Sequence, residues 1–385
     1  MAEEQEYPRV LVPPKQSFFL FGMRGVGKST WARRAFPQAH RIDLLDEGVY
    51  QNILPNPSLF RLEVEGVSPG SWVIVDEIQR MPNLLNYVHL LIEEKKLRFV
   101  LLGSSARKLK HAGVNLLAGR ALRKLTFPLL PEELAKDFDV ERVLTIGSLP
   151  LVWQSPSPVE TLEAYVQLYL KEEIRAEALV RNLPAFSRFL PVAAVAHGQV
   201  VNTSALARDA AAARNTVEGY IEILEDTLLA VRLPAVEAKL RVRERTHPKL
   251  YWVDCGIVRA VKRYRGAVTQ EERGPLLEGW VFSLLRAYRE IWPVYDEIFY
   301  WSPAEARLTE VDFLLQRGKM LIAIEVKATS RFSSAMLVGL KAIGGLKGVV
   351  RRILVYEGTR QLTTPEGIEV LPVRSFLALL ENQTL

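Results

Sequence analysis

Hydrophobic positions along the chain switch between two periods. Short continuous apolar runs occur at Ser17-Phe-Phe-Leu-Phe21, Ser71-Trp-Val-Ile-Val75 and Arg98-Phe-Val-Leu-Leu102. Their length and lack of polar interruption predict buried strands. Another strand is expected at Leu122–Pro128. From Pro131 to about Leu190 the pattern is helical, with Leu162, Tyr165, Leu168 and Tyr169 along one face. Asn202 to Ser204 can cap a helix over Ala205–Ala212. In the next helix, Asn215–Glu225, residues Val217, Tyr220, Ile221 and Leu224 have i, i+3, i+4, i+7 spacing. A hairpin-like Leu228–Pro234 follows, which makes the order that of a winged helix. The last third predicts a helix at Gly274–Leu285, with Pro275 near its start, and strands at Ile298–Ser302, Glu310–Leu315 and Met320–Lys327.

The first strand runs into Gly22-Met23-Arg24-Gly25-Val26-Gly27-Lys28-Ser29, followed by a helical Thr30–Ala35. Strand, glycine loop and helix are the context of a phosphate-cradling P-loop. Gly22 and Gly27 are expected to take backbone angles that a Cβ would forbid. The loop from Gly22 to Thr30 then turns its N–H groups and the positive helix end toward phosphates. Lys28 would neutralise β/γ-phosphate charge, and the Ser29 hydroxyl would ligate Mg2+. The second apolar run ends in Asp76-Glu77. Asp76 is the expected second Mg2+ contact and Glu77 the base for an attacking water. Adjacent strand residues point to opposite faces, so their roles must differ. Ser104, at the tip of the next strand, is a candidate γ-phosphate sensor; the bland alternative for Ser104 and Ser105 is a helix cap. Arg120, just before the fourth strand, is either an arginine finger reaching a neighbouring subunit or a surface arginine. ATP is expected rather than GTP, because no Asn-Lys-x-Asp-type guanine reader follows.

The 385 residues, 49% of them hydrophobic, are too many for one ordinary domain, so two or three are expected. A single cysteine, Cys255, excludes a disulfide framework; it falls in a strand-like run and is expected to be a buried filler. The start of the chain is acidic, unlike a signal peptide, and no apolar run approaches the ~20 residues of a membrane span. The expectation is a soluble cytoplasmic protein with no membrane contact. The net charge of +6 permits nucleic-acid binding without demanding it. Basic clusters at Lys239–Arg245 and Arg259–Arg265 would meet phosphates or lie on solvated faces. Arg214, Asn215 and Thr216 head the second helix of the winged-helix segment, where DNA contacts are made, but Glu218, Glu222 and Glu225 on the same helix repel phosphate.

A second constellation lies near the C-terminus. Glu278 is placed on the helix, Asp312 in one strand, and Glu325 and Lys327 at the end of the next. The spacing of Asp312 and Glu325 suits antiparallel strands joined by a turn at Gln316–Lys319, and Glu325 and Lys327 share a face. Two carboxylates and a lysine at a sheet edge suit metal-assisted phosphodiester cleavage: Asp312 and Glu325 would hold Mg2+, Lys327 would position water and Glu278 would add an oxygen. This set resembles the PD-(D/E)XK nuclease core, with Val311 in place of the usual proline. The alternative is a nuclease-like fold without catalysis that serves for docking. Over nearly its whole length the chain resembles bacterial and archaeal AAA-type ATPases that end in a PD-(D/E)XK-like domain. That resemblance implies an α/β architecture: an αβα parallel-sheet ATPase core (1–130), a helical lid (131–195), a winged helix (196–250) and an α+β nuclease-like domain (251–385). It further implies Mg2+-dependent ATP hydrolysis coupled to duplex or branched DNA, in a homo-oligomer such as a hexamer. The competing implication is a signalling or defence ATPase switch that binds protein partners.

Overall fold

Both faces of the first sheet are covered, which explains why its inner strands are apolar except at Arg98 and Asp76 near their ends. The computed structural model describes residues 6–105, 117, 119–169, 182–236, 246–303 and 309–385. They form two compact units. The first comprises the described part of Met1–Leu129 with Leu149–Gln154 and Asp226–Leu229. Its five parallel strands are β1 (Phe18–Phe21), β2 (His40–Asp43), β3 (Trp72–Asp76), β4 (Arg98–Gly103) and β5 (Leu122–Leu125), in the order β2-β3-β4-β1-β5. Phe18, Leu20, Ile74, Val100 and Leu102 pack on one face with Trp31 and Phe36. Phe19, Phe21, Val73, Val75, Phe99 and Leu101 pack on the other with Phe60, Leu84, Val88 and Leu91. Each such fully buried side chain contributes roughly 1.5–3 kcal/mol. The order puts β4 between the P-loop strand β1 and the acidic strand β3, so loops at the C-terminal ends of all three meet.

The second unit comprises Leu130–Ser148, Ser155–Glu225 and Ala230–Leu385. Helices Thr203–Asp209 and Arg214–Asp226 lie between the first and second strands of a three-stranded sheet, β6 (Gln199–Val200), β7 (Ala230–Leu233) and β8 (Lys249–Trp252), with β8 central and antiparallel to both. The expected hairpin at Leu228–Pro234 is therefore a single strand paired with a distant one. The boundary expected at residue 250 falls inside β8. The basic cluster Lys239–Arg245 lies outside the described residues. Cys255 is buried as expected, but it opens a helix (Cys255–Val261) capped by Asp254 rather than sitting in a strand. Arg259 does not face phosphates: it is 3% exposed, pairs with Glu272 at 2.9 Å and donates to the carbonyls of Thr145, Gly266 and Ala267.

The long helix begins at Gln270, earlier than expected, and runs to Ile291. Thr269 and Glu272 form a reciprocal capping box, which starts the helix upstream of Pro275 and leaves that proline inside it. The C-terminal sheet has the order β13-β14-β12-β11-β10-β9. Strands β9 (Glu297–Trp301), β10 (Val311–Arg317) and β11 (Met320–Lys327) are antiparallel; β11, β12 (Val349–Tyr356) and β14 (Glu369–Pro372) are parallel; and β13 (Leu362–Thr363) closes the edge. Phe313 faces Ile324, so Asp312 and Glu325 fall at adjoining positions of the same register, on the predicted strands. The β9–β10 pairing slips between Val311 and Leu314, a bulge that re-aims the backbone around Asp312. Among the described residues no helix is long and apolar enough to cross a membrane.

Candidate functional site

The P-loop joins β1 to the helix Lys28–Ala35 as the sequence predicts. Two glycines take left-handed angles, Gly25 (φ 75°) and Gly27 (φ 88°). Gly22 does not; its requirement is space, because a Cβ there would stand 2.4 Å from Thr126 Cγ2. The loop is braced from outside. Arg9 donates to Val26 O (2.9 Å) and Phe127 O (2.6 Å), and Leu151 N–H donates to Gly25 O (3.2 Å). A cavity of about 690 Å3 lies over the loop. Its lining includes Arg24, Lys28, Ser29, Thr30 and Glu77, together with Tyr7 and Leu151. Lys28 is buried, and its Nζ donates to Gly22 O (2.7 Å) and Met23 O (3.2 Å).

Asp76 closes β3 and is hydrogen-bonded to the Ser29 side chain. Burial raises its carboxyl above the usual range and Asp43 adds to this, against the Ser29 hydrogen bond, the Lys28 charge and the Glu77 N–H. Asp76 and Glu77 do not alternate as neighbours on one strand. The strand ends at Asp76, and Glu77 sits in the left-handed region (φ 54°), so strand alternation does not set its direction. Gln79 sets it instead. Its amide NH2 donates to Glu77 Oε2 and, at 2.9 Å, to Ser104 Oγ, using both donors. Ser104 is thus buried beside β3 and tied to the carboxylate. The sequence singled out Ser104 and Glu77 but assigned no role to the residue that links them. Arg120 forms an exposed pair with Glu93 of its own chain at 2.5 Å.

Glycines shaped for close approach, a buried lysine at the loop and a Ser–Asp pair beyond it fit a Mg-nucleotide. Lys28 and the loop N–H groups would hold phosphates, and Ser29 with Asp76 would hold Mg2+.

The second unit brings together every sequence-predicted acid of its constellation, and adds residues that sequence reasoning missed. Lys249, from β8, is 2% exposed. Its Nζ lies 3.0 Å from Glu278 Oε1, 3.5 Å from Asp312 Oδ1 and 3.5 Å from Glu310 Oε1. Tyr251 donates its hydroxyl to the same Glu278 oxygen. Asp312 Oδ2 accepts from Val326 N–H at 2.8 Å, Glu325 Oε2 receives Asp312 N–H at 3.4 Å, and Lys327 Nζ donates to Glu325 Oε1. Burial raises the carboxyls of Asp312 and Glu325, and the neighbouring carboxylate of Glu278 or Asp312 adds to it. Burial alone would lower the Lys249 ammonium, but the surrounding Glu278, Tyr251, Asp312 and Glu310 outweigh it and hold the group well above its usual value. The Mg2+ expected on Asp312 and Glu325, with Glu278 and Lys327 in support, does not fit this arrangement. An ammonium fills the space that a cation shared by Glu278 and Asp312 needs, and the oxygens of Glu325 are engaged. Among the described residues no group of three or more His, Cys, Asp or Glu is arranged to hold a metal.

Beneath this cluster His197 is fully buried and accepts from Trp252 N–H through Nδ1 (3.0 Å), so its proton sits on Nε2. That nitrogen lies against Gly279, where a Cβ would stand only 2.1 Å away.

Residues 14–135 match the family described as an AAA domain. Residues 137–267 and 273–376 match two domains of unknown function, DUF8612 and DUF4143. Uncharacterized proteins of Mycobacterium bovis and Mycobacterium tuberculosis are each 26% identical over 373 residues, covering 93% of this chain and 80% of theirs. Among solved structures, a Signal Transduction ATPase with Numerous Domains carrying a tetratricopeptide repeat sensor, from Pyrococcus horikoshii, is 15% identical with a TM-score of 0.24. The match covers 74% of this chain and 47% of that one, so this chain spans less than half of that protein. Protein VC1899 from Vibrio cholerae is 14% identical, covering 96% and 97%, with a TM-score of 0.25. Can2 from Sulfobacillus thermosulfidooxidans, solved with cyclic tetra-adenylate, is 12% identical, covering 96% and 98%, with a TM-score of 0.23. The residues that match the AAA domain carry the P-loop and the parallel five-stranded sheet of the N-terminal unit.

Proposed function

We propose that the chain is an ATP-binding and ATP-hydrolysing switch of the AAA type. One observation carries this reading: the Ser29 side chain, in the first turn of the helix after the P-loop, bonds Asp76 at the end of β3, with Lys28 and Glu77 lining one cavity. Lys28 and the loop N–H groups orient the phosphates. Ser29 and Asp76 hold Mg2+, which when bound offsets developing phosphate charge. Glu77, held by Gln79, takes the proton of the attacking water. Arg120 completes the site of an adjacent subunit in a homo-oligomer. Calorimetric titration with Mg·ATP tests binding, and Glu77→Gln tests hydrolysis: uptake persists while turnover stops. A well-folded protein that takes up no Mg·ATP, or a variant with unchanged turnover, defeats the proposal.

The output we assign is a protein-partner switch whose C-terminal domain is a nuclease-like fold. The helix Arg214–Asp226 supports it, because Glu218 and Glu225 hold Arg232 and Glu222 is exposed, an acidic face unsuited to phosphates. A second reading couples ATP to DNA. It is supported by Arg208, Arg214 and Asn215, all exposed at the start of that helix or just before it. Duplex and branched DNA titrated at rising salt with ATP present separates them: a phosphate-gripping surface loses affinity steeply with salt, and no affinity at low salt leaves the protein-partner reading.

A further inference from the structure

The nuclease-like constellation calls for a divalent cation, and the structure puts a lysine there instead. We propose that Lys249 is the resident cation of the acidic cluster, so that the wild-type chain takes no divalent metal at Glu278, Asp312 and Glu325 and its C-terminal domain acts without metal chemistry. This inference rests on the position of one side chain and is independent of the nucleotide reading.

Three observations carry it. First, Nζ touches an oxygen from each of three carboxylates, Glu278, Asp312 and Glu310. Mg2+ or Ca2+ needs such oxygens at about 2.0–2.6 Å. A dication at that distance from the Glu278 and Asp312 oxygens would lie almost on the ammonium, so like charges would collide in a buried site. Second, Lys249 has no room to swing aside. It stands on the central strand of the small sheet, opposite Leu233 on one side and Val200 on the other, with a side chain 2% exposed. Third, the second oxygen of Asp312 and both oxygens of Glu325 already have donors. Tyr251 shares the Glu278 oxygen, Val326 N–H takes Asp312 Oδ2, and Lys327 and Asp312 N–H take the two oxygens of Glu325. The strand pairing brings this about. Pro234 and Val236, just beyond β7, bond to both backbone groups of Tyr300 in β9, which joins the small sheet to the C-terminal sheet and carries β8 to the acids.

The test uses full-length, nucleotide-free protein. Mn2+ uptake is measured by calorimetry, and Fe2+ with ascorbate locates a bound metal by cutting the backbone beside its ligands. Cuts near residues 278, 312 and 325 report the cluster, and cuts near 29 and 76 report the P-loop. Wild type is expected to show no cuts at the cluster. Lys249→Met, with Lys249→Gln as a second neutral variant, is expected to bind Mn2+ there at least about tenfold more tightly than wild type. Adding Asp312→Asn is expected to remove that binding. Cluster cuts in wild type overturn the proposal, and so does a folded neutral variant that takes up no Mn2+. If neither variant folds, the wild-type arm decides alone: no cuts there uphold it, and cuts there overturn it.

Discussion

Two buried lysines stand at the two candidate sites, and their acceptors separate what each site can do. Lys28 donates to two carbonyl oxygens of its own loop, neutral acceptors that a phosphate can outcompete, and its charge also acts on the Asp76 carboxylate. Lys249 rests among three carboxylates, so its charge is matched within the protein. The first arrangement is suited to an anion, whereas the second is an ion cluster closed within the protein. A buried charge that already has partners is costly to disturb and gives little to a ligand.

The largest expected effect breaks the second arrangement. Lys249→Met in metal-free buffer should lower stability by about 3–5 kcal/mol, because buried carboxylates lose their counter-charge. Urea unfolding checks this. Lys249→Met combined with Glu278→Gln should lose less than Lys249→Met alone, since the pair shares one interaction. Equal or greater loss in the double variant would mean that the ion pair contributes nothing and that packing holds the strand. Lys28→Ala should do the reverse. Turnover should fall about 10²- to 10³-fold, while stability changes by under about 1.5 kcal/mol, the scale of a hydrogen bond to a neutral acceptor. Near-normal ATP turnover would remove Lys28 from the chemistry.

A third buried group sharpens the contrast, because among the described residues burial and the Lys262 charge, not a carboxylate, set its protonation. Burial, helped by the Lys262 charge, pulls the pKa of His197 down to about 3. The unfolded value is about 6.5. The native state therefore binds fewer protons than the unfolded state between these two values. The stability tied to this group is complete above pH 6.5 and drains away as the pH falls toward 3. Between pH 8 and pH 5 the loss should be about 2 kcal/mol from this residue. His197→Asn should flatten that part of the stability profile. A variant with the wild-type slope would assign the acid sensitivity elsewhere.

The same contrast shows what could be read from the sequence. The P-loop was legible because its parts are contiguous: Gly22 to Ser29 form one turn between one strand and one helix. Asp312 and Glu325 were legible because one antiparallel turn sets their register. Gln79 was on view, but nothing local shows that its amide bridges Glu77 to Ser104, which comes from another strand. Lys249 was hidden more deeply. Its strand pairs with two others, and only the joining of two sheets at Tyr300 brings it to acids from two other places in the chain. The capping box of Thr269 and Glu272 was readable from spacing alone, but Pro275 carries the competing signal of a helix start. Gly279 had no local signal: its need for a bare Cα comes from the ring of His197, packed against it from a distant segment.

The smallest expected stability effect belongs to Arg120, and it decides whether a third cation belongs to the nucleotide site. Its pair with Glu93 is solvent-exposed, with side chains 39% and 47% accessible. Exposed pairs of this kind contribute about 0.2–1 kcal/mol. Arg120→Ala and Glu93→Ala should therefore each cost under about 1 kcal/mol. Turnover separates them: as a finger from the adjacent subunit, Arg120 is required for hydrolysis and Glu93 is not. Mixing then tests the geometry. Lys28→Ala subunits still carry Arg120, and Arg120→Ala subunits still carry an intact P-loop. Neither turns over alone, but a mixed assembly places an intact arginine beside an intact loop and should recover part of the activity. Recovery would show the residue acting between chains, whereas two inactive proteins that stay inactive together would confine Arg120 to its own subunit. Full activity of Arg120→Ala by itself would leave the arginine as a surface partner of Glu93 and nothing more.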